Sequence, residues 1–198
     1  MTLRILAIDP GPVQSGVCVY ERESRKIEEC GIYANAYLRL RMAGLLMQGE
    51  YEADVMVAEY MRPRGMPTAQ AEMDAMFELG RIRQCWTGEF VPLSRSQVKM
   101  AICGKVTATD SNIRRALIDL WGGDAAIKRA VKCKKCKGTG KVRIRQLPPL
   151  VPLTLSNLTM CPTCNGSGIT SPAGPLAGVA NDGWSALALA VTYAEGKV

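Results

Sequence analysis

The chain has 198 residues, 47% of them hydrophobic and 22% charged, a balance that suits one globular domain or one such domain carrying a modest insertion. It contains no histidine, which excludes Ser-His-Asp and Cys-His nucleophile systems and histidine-based zinc hydrolase sites. The net charge of +7 is local: residues 125–181 hold nine Lys or Arg and no Asp or Glu, while the remainder, with sixteen basic and eighteen acidic residues, carries −2. Such a stretch calls for a polyanionic partner.

In chain order, residues 3–8 read as a buried strand that delivers Asp9 into an Asp-Pro-Gly turn. SGVCVYE (15–21) and KIEECGIY (26–33) follow after short turns and predict a three-stranded antiparallel meander. NAYLRLRMAGLLMQ (35–48) spaces Leu and Met at helical intervals, and DVMVAEY (54–60) predicts a further strand that ends at Glu59. The loop MRPRGMP leads into a long helix over 68–86, and FVPL (90–93) is a short strand. SRSQVKMAIC comes next, followed by the helix TDSNIRRALIDLW, for which Thr109 and Asp110 are N-cap candidates. From Cys133 to about Pro172 the texture changes to Lys, Gly, Pro and Cys, and it reverts at GVANDGWSALALAVTYAE, an apolar closing helix with Asp182 near its start. The expected domains are therefore residues 1–131, an insertion at 132–172, and the closing helix at 173–198. The longest apolar run, Trp184–Ala194, is shorter than the roughly 18 residues of a bilayer span, and MTLRILAID lacks the features of a secretory signal, so the expected location is a bacterial cytoplasm with no membrane partner.

Asp9, Glu59 and Asp182 each stand at the edge of an apolar element, where an unpaired charge is costly. Singly, they read as a turn residue, a strand end and a helix N-cap. Together they read as a cluster: if the first and fourth strands are neighbours, Asp9 and Glu59 lie side by side, and a final helix packed on that sheet brings Asp182 to face them. Clustered carboxylates repel one another unless a hard divalent cation neutralises them, and paired Mg²⁺ ions at such a site activate water and stabilise the leaving oxygen in phosphodiester cleavage.

The strand ending IDPG, the strand ending AEY, the segment VPLSRSQVKMAICGKVTATDSNI and the closing Asp182-x-x-Ser185-Ala-Leu-Ala, in this order, resemble the RuvC-type Holliday-junction resolvases of the RNase H-like superfamily, including virus-encoded (phage) members. The resemblance spans about residues 3–125 and 175–195. It implies an α/β fold built on a mixed five-stranded sheet flanked by helices. It also implies a homodimeric endonuclease that resolves four-way junctions and other branched DNA with Mg²⁺, or Mn²⁺ in its place. Asp9, Glu59 and Asp182 are the implied metal ligands, and Lys99 is the implied cation near the scissile phosphate. The pattern departs at Ser185, where a carboxylate is expected, and at Asp110, which occupies a basic position whose role Lys105 takes over; Asn181 offers a neutral oxygen ligand. The departure at Ser185 carries an alternative, a catalytically weak binder of branched DNA. Arg62 and Arg64 match the substrate-facing loop, Arg95 joins Lys99 and Lys105 among the DNA-binding residues, and the helix bearing Met73, Met76, Phe77 and Leu79 is either a dimer face or simply core.

Cys133-x-x-Cys136-x-Gly-x-Gly and Cys161-x-x-Cys164-x-Gly-x-Gly repeat one pattern, with twenty-four residues between the inner cysteines. Two such knuckles supply four thiolates for one structural Zn²⁺, and their glycines permit left-handed turns. The pattern is similar to the cysteine-rich region of DnaJ chaperones, which implies metal binding in a small zinc-ribbon-like module and not chaperone activity. Lys134, Lys135, Lys137, Arg143 and Arg145 make the module a second DNA-binding surface, with a merely structural staple as the alternative. Cys18, Cys30, Cys85 and Cys103 stand alone among apolar residues and are expected to be buried, inert thiols.

Overall fold

Three antiparallel strands open the chain because each is a short apolar run closed by turn residues: β1 (Arg4–Asp9), β2 (Gln14–Glu21) and β3 (Lys26–Ala34). The computed structural model describes residues 2–46, 51–61, 69–139, 141–143, 158–164, 167–171 and 173–196. After β3 come α1 (Asn35–Met42), β4 (Val55–Glu59), α2 (Gln70–Gln84), β5 (Glu89–Leu93), α3 (Arg95–Cys103) and α4 (Asp110–Leu120). A 3₁₀ turn at Gly123–Ile127 precedes four short strands, β6 (Val131–Lys132), β7 (Lys141–Arg143), β8 (Leu158–Met160) and β9 (Ile169–Ser171), and α5 (Gly183–Ala194) closes the series.

The main sheet has the order β3-β2-β1-β4-β5, with β4 and β5 parallel to β1. It is the mixed five-stranded α/β sheet of the RNase H-like fold. Strand alternation splits its side chains between two faces. Leu6, Ile8, Val17, Val19, Met56 and Ala58 pack against Leu38 and Met42 of α1 and Leu79 and Ile82 of α2. Ile5, Ala7, Val55 and Val57, equally buried, point the other way, toward α5, which packs on β1, β2 and β4. Because α5 is covered nearly all round, its sequence is a continuous apolar run and not a stripe.

Caps fix the helix boundaries. Ser94 starts α3 and Thr109 starts α4, each with a capping box completed by Gln97 and Asn112. α1 stops at Met42, short of the expected 48, because Gly44 adopts a left-handed φ of 68° just beyond it; residues 47 and 48 lie outside the described part. Of the four isolated cysteines only Cys18 is buried, while Cys30, Cys85 and Cys103 are partly exposed, so the expectation of four buried thiols fails for three.

The chain forms two compact units, Met1–Gly123 with Gly178–Val198, and Asp124–Ala177. In the second, β6 pairs with β9 and β7 with β8, both antiparallel, and the four clustered cysteines form the buried centre. Among the described residues no helix is long and apolar enough to cross a membrane.

Candidate functional site

β1 and β4 run parallel in register, Ile8 opposite Ala58, so the next residue of each strand, Asp9 and Glu59, emerges at the same end of the sheet. Asp9 continues the alternation of Ile5 and Ala7, and Glu59 that of Val55 and Val57, which aims both carboxylates at the face covered by α5. Asp182 is the N-cap residue of α5, but its side chain makes no capping hydrogen bond. It is held against the sheet by Gly16, the cross-strand partner of Asp9: a Cβ on Gly16 would lie 2.4 Å from the Asp182 carbonyl oxygen and 2.9 Å from its Cβ. Only glycine permits this approach. Gly16→Ala should displace Asp182, cost about 1–3 kcal/mol through overpacking, and lower activity together with melting temperature, which thermal unfolding and a cleavage assay read in parallel.

The turn after Asp9 is fastened by other residues. Buried Ser15 donates to Asn35 Oδ1 (2.7 Å), Asn35 Nδ2 donates to the Gly11 carbonyl (2.9 Å), and the Asn35 amide donates to the Val13 carbonyl (3.0 Å). This network relieves the Asp9 carboxylate of a turn-forming role. Sequence reasoning missed Ser15 and Asn35; the signal was two small polar residues flanking apolar strands, at the edges of β2 and α1.

Arg95, the first residue of α3, follows β5 closely, and Leu93 of β5 is the cross-strand partner of Glu59. Its guanidinium therefore reaches the acids. Nη1 donates to Glu59 Oε2 (3.0 Å) and to Ser185 Oγ (3.3 Å), and Nη2 pairs with Asp110. Burial pushes the Asp9 carboxyl up to about 7, Glu59 and Asp182 push in the same direction, and Arg95 and Ser185 oppose them. Glu59 is also raised by burial, against the pull of Arg95 and Lys99. Unfolded Asp9 releases its proton near 3.8, whereas folded Asp9 holds it to about 7, so the folded state binds more protons in between and stability falls as pH rises through that window. With zinc supplied but no other divalent ion, thermal unfolding should show a loss of about 4 kcal/mol from pH 4 to pH 7.5, and Asp9→Asn should flatten it.

Lys99 lies on α3 one helical turn beyond Arg95 and within electrostatic reach of Glu59. Lys105 is exposed just past the left-handed Gly104 that ends α3, and Asp110 is exposed at the start of α4. Arg62, Arg64 and Arg145 lie outside the described residues. Arg143 belongs to β7, and Lys134, Lys135 and Lys137 are exposed on the first knuckle.

Among the described residues, the four cysteines are the group of three or more metal-ligating side chains whose donor atoms all lie within 4.8 Å of one another. The three acids do not close to that extent, and the Arg95 guanidinium stands beside them. The chemistry of the acids still fits a divalent cation: two partly buried carboxylates on adjacent strands with raised proton affinity, and a third whose side chain is not consumed by its helix.

The thiols fit zinc in shape as well as type. Cys133 and Cys161 Sγ are 3.8 Å apart and Cys136 and Cys164 Sγ 3.7 Å, and a tetrahedron with zinc–sulfur bonds of about 2.3 Å has edges of about 3.8 Å. Both knuckles are closed alike. The Thr139 hydroxyl donates to the Cys136 carbonyl (2.8 Å) and that of Ser167 to the Cys164 carbonyl (2.7 Å). The hydroxyl residue three places after each inner cysteine is a repeated feature that sequence reasoning passed over.

A mixed sheet of this order with α5 across it, carrying acids at the ends of β1 and β4, defines the fold class as RNase H-like. In keeping with this fold, Thermus thermophilus RuvC superposes with a TM-score of 0.50 at 14% identity, over 62% of this chain and 82% of that one. T. thermophilus RuvC in complex with a Holliday junction substrate gives 0.49 at 12% identity, covering 64% and 84% of the two chains. The yeast mitochondrial Holliday junction resolvase Ydc2 gives 0.40 at 15% identity, covering 59% and 61%. No family model and no curated protein matches the chain.

Proposed function

We propose that this chain is a divalent-metal-dependent, structure-selective endonuclease that cuts branched DNA, four-way junctions foremost. The observation that carries this reading is the convergence of Asp9, Glu59 and Asp182, from β1, β4 and α5, at one end of a sheet with the RuvC fold. These three side chains would hold Mg²⁺, or Mn²⁺ in its place, and a bound ion supplies Lewis-acid activation of water and neutralisation of phosphate charge. The protein contributes the rest. Gly16 and the Ser15–Asn35 network fix where the acids stand, and Lys99 places positive charge near the phosphate as negative charge develops. Water is the nucleophile, in keeping with a chain that has no histidine.

The four thiolates would hold one structural Zn²⁺, which shapes a unit that exposes Lys128, Arg129, Lys132, Lys134, Lys135, Lys137 and Lys141. These charges suit phosphate contacts that read the shape of a junction, not its bases. On α2, Met76 packs on the core and Leu79 is buried in it, whereas Met73 and Phe77 are 55% and 72% exposed, contrary to a core role. That outward pair supports the homodimer expected of an enzyme that nicks two strands symmetrically.

The test is incubation of a labelled synthetic four-way junction with the full chain in Mg²⁺, in Mn²⁺ and in chelator, beside a linear duplex of the same sequence. Paired, metal-dependent nicks near the branch point of the junction alone are expected. Equal cutting of the linear duplex would defeat the claim of structure selectivity. Tight junction binding with no cutting in either metal would identify a binding protein.

A further inference from the structure

A carboxylate cluster needs positive charge, and part of that charge is built into the chain. The Arg95 guanidinium, its side chain only 24% exposed, reaches Glu59 and Ser185 through one nitrogen and Asp110 through the other. Because guanidinium does not lose its proton in proteins, this charge is permanent, and its planar fork fixes the direction of each contact. Ser185 is held by the same group, its oxygen accepting from Arg95. This is not the posture of a residue waiting to bind a second cation.

We infer that Arg95 is the second positive centre of the acid site, and that the site takes a single divalent cation where the clustered acids of the sequence predict a pair. This rests on the endonuclease reading above. The donor count agrees with it. With Glu59 Oε2 and the Ser185 oxygen engaged by Arg95, the carboxylate oxygens of Asp9, the second oxygen of Glu59 and the exposed Asp182 remain, a set suited to one hard ion that keeps several of its waters. A second divalent ion would have to sit beside a fixed guanidinium with no carboxylate at position 185 to offset the repulsion. Arg95 thus acts as a positioning residue: it orients Glu59 and holds Ser185, and it carries charge otherwise left to a metal.

The experiment counts ions, so it does not depend on turnover. Mn²⁺ is titrated into the zinc-loaded full chain at pH 8 and free Mn²⁺ is followed by electron paramagnetic resonance, since a hard ion leaves thiolates to zinc. Wild type should bind about one Mn²⁺ per chain, as should Arg95→Lys, which keeps the charge. Ser185→Asp alone should remain at about one, because Arg95 pairs with the new acid, and Arg95→Gln combined with Ser185→Asp should rise to about two. Thermal unfolding of each variant checks that it is folded. Two ions on the wild type, or two on Ser185→Asp alone, would overturn the role given to Arg95, and so would a folded double variant held at one. Undiminished binding by Asp9→Asn would instead overturn the acid-site reading itself.

Discussion

Asp9→Asn should lower junction cleavage by at least about a thousandfold, equivalent to about 4 kcal/mol of transition-state stabilisation, while leaving the protein folded. The substitution keeps the size of the side chain and removes its charge from the most crowded point of the site, between Glu59 and Asp182 and beneath α5. Removing that charge relieves the repulsion that raises the Asp9 carboxyl, so the metal-free variant should be at least as stable as wild type. Its junction affinity in chelator should be unchanged or higher, because a negative charge near the phosphates is gone. Single-turnover cleavage and a binding assay on the same junction separate the two effects. Asp182→Asn should cost less, about ten- to a hundredfold, since Asp182 is exposed and its backbone position is set by Gly16. Cutting by Asp9→Asn at the wild-type rate would remove Asp9 from the mechanism.

The second large effect concerns the cysteine unit. Among the described residues its buried cluster consists of Cys133, Cys136, Cys161 and Cys164, and its two-stranded pairs are too short to stand alone, so the proposed zinc would supply much of what holds them together. Structural zinc is worth about 10–16 kcal/mol in small domains of this kind. Native mass spectrometry should find one zinc per wild-type chain and none on Cys133→Ser. Hydrogen exchange in that variant should become fast over 131–139 and 160–171 while β1, β2 and β4 keep their protection. A Cys133→Ser chain that retains zinc and full protection would dismiss the metal assignment.

The main sheet was readable from sequence because local signals and tertiary demand coincide. Pro10 and Gly11 end the first strand where the sheet ends, and the apolar runs of β1 and β4 are unbroken because both their faces are covered. The cysteine spacing carried its own geometry. What stayed hidden depends on where a side chain points once the fold is made. Arg95 read as one more basic residue, yet the adjacency of β5 and β4 turns it onto Glu59. Gly16 looked like an ordinary strand glycine until α5 was laid across it, and Met73 and Phe77 share the periodicity of their buried neighbours but fall on the outer side of α2. The early stop of α1 was a reading error of a simpler kind, since Gly44 follows the last apolar turn as a helix terminator does.

The placement of Asp182 and Ser185 on α5 has a consequence for biosynthesis. β1 and β4 bring Asp9 and Glu59 together from the first third of the polypeptide, but the remaining acid, and the serine that accepts from Arg95, arrive only after the cysteine unit has been translated and α5 has docked. If the site acts as proposed, a nascent chain on the ribosome holds only part of it. The acid set would then be completed in one late event, so that incomplete copies of the protein should not cut nearby nucleic acid.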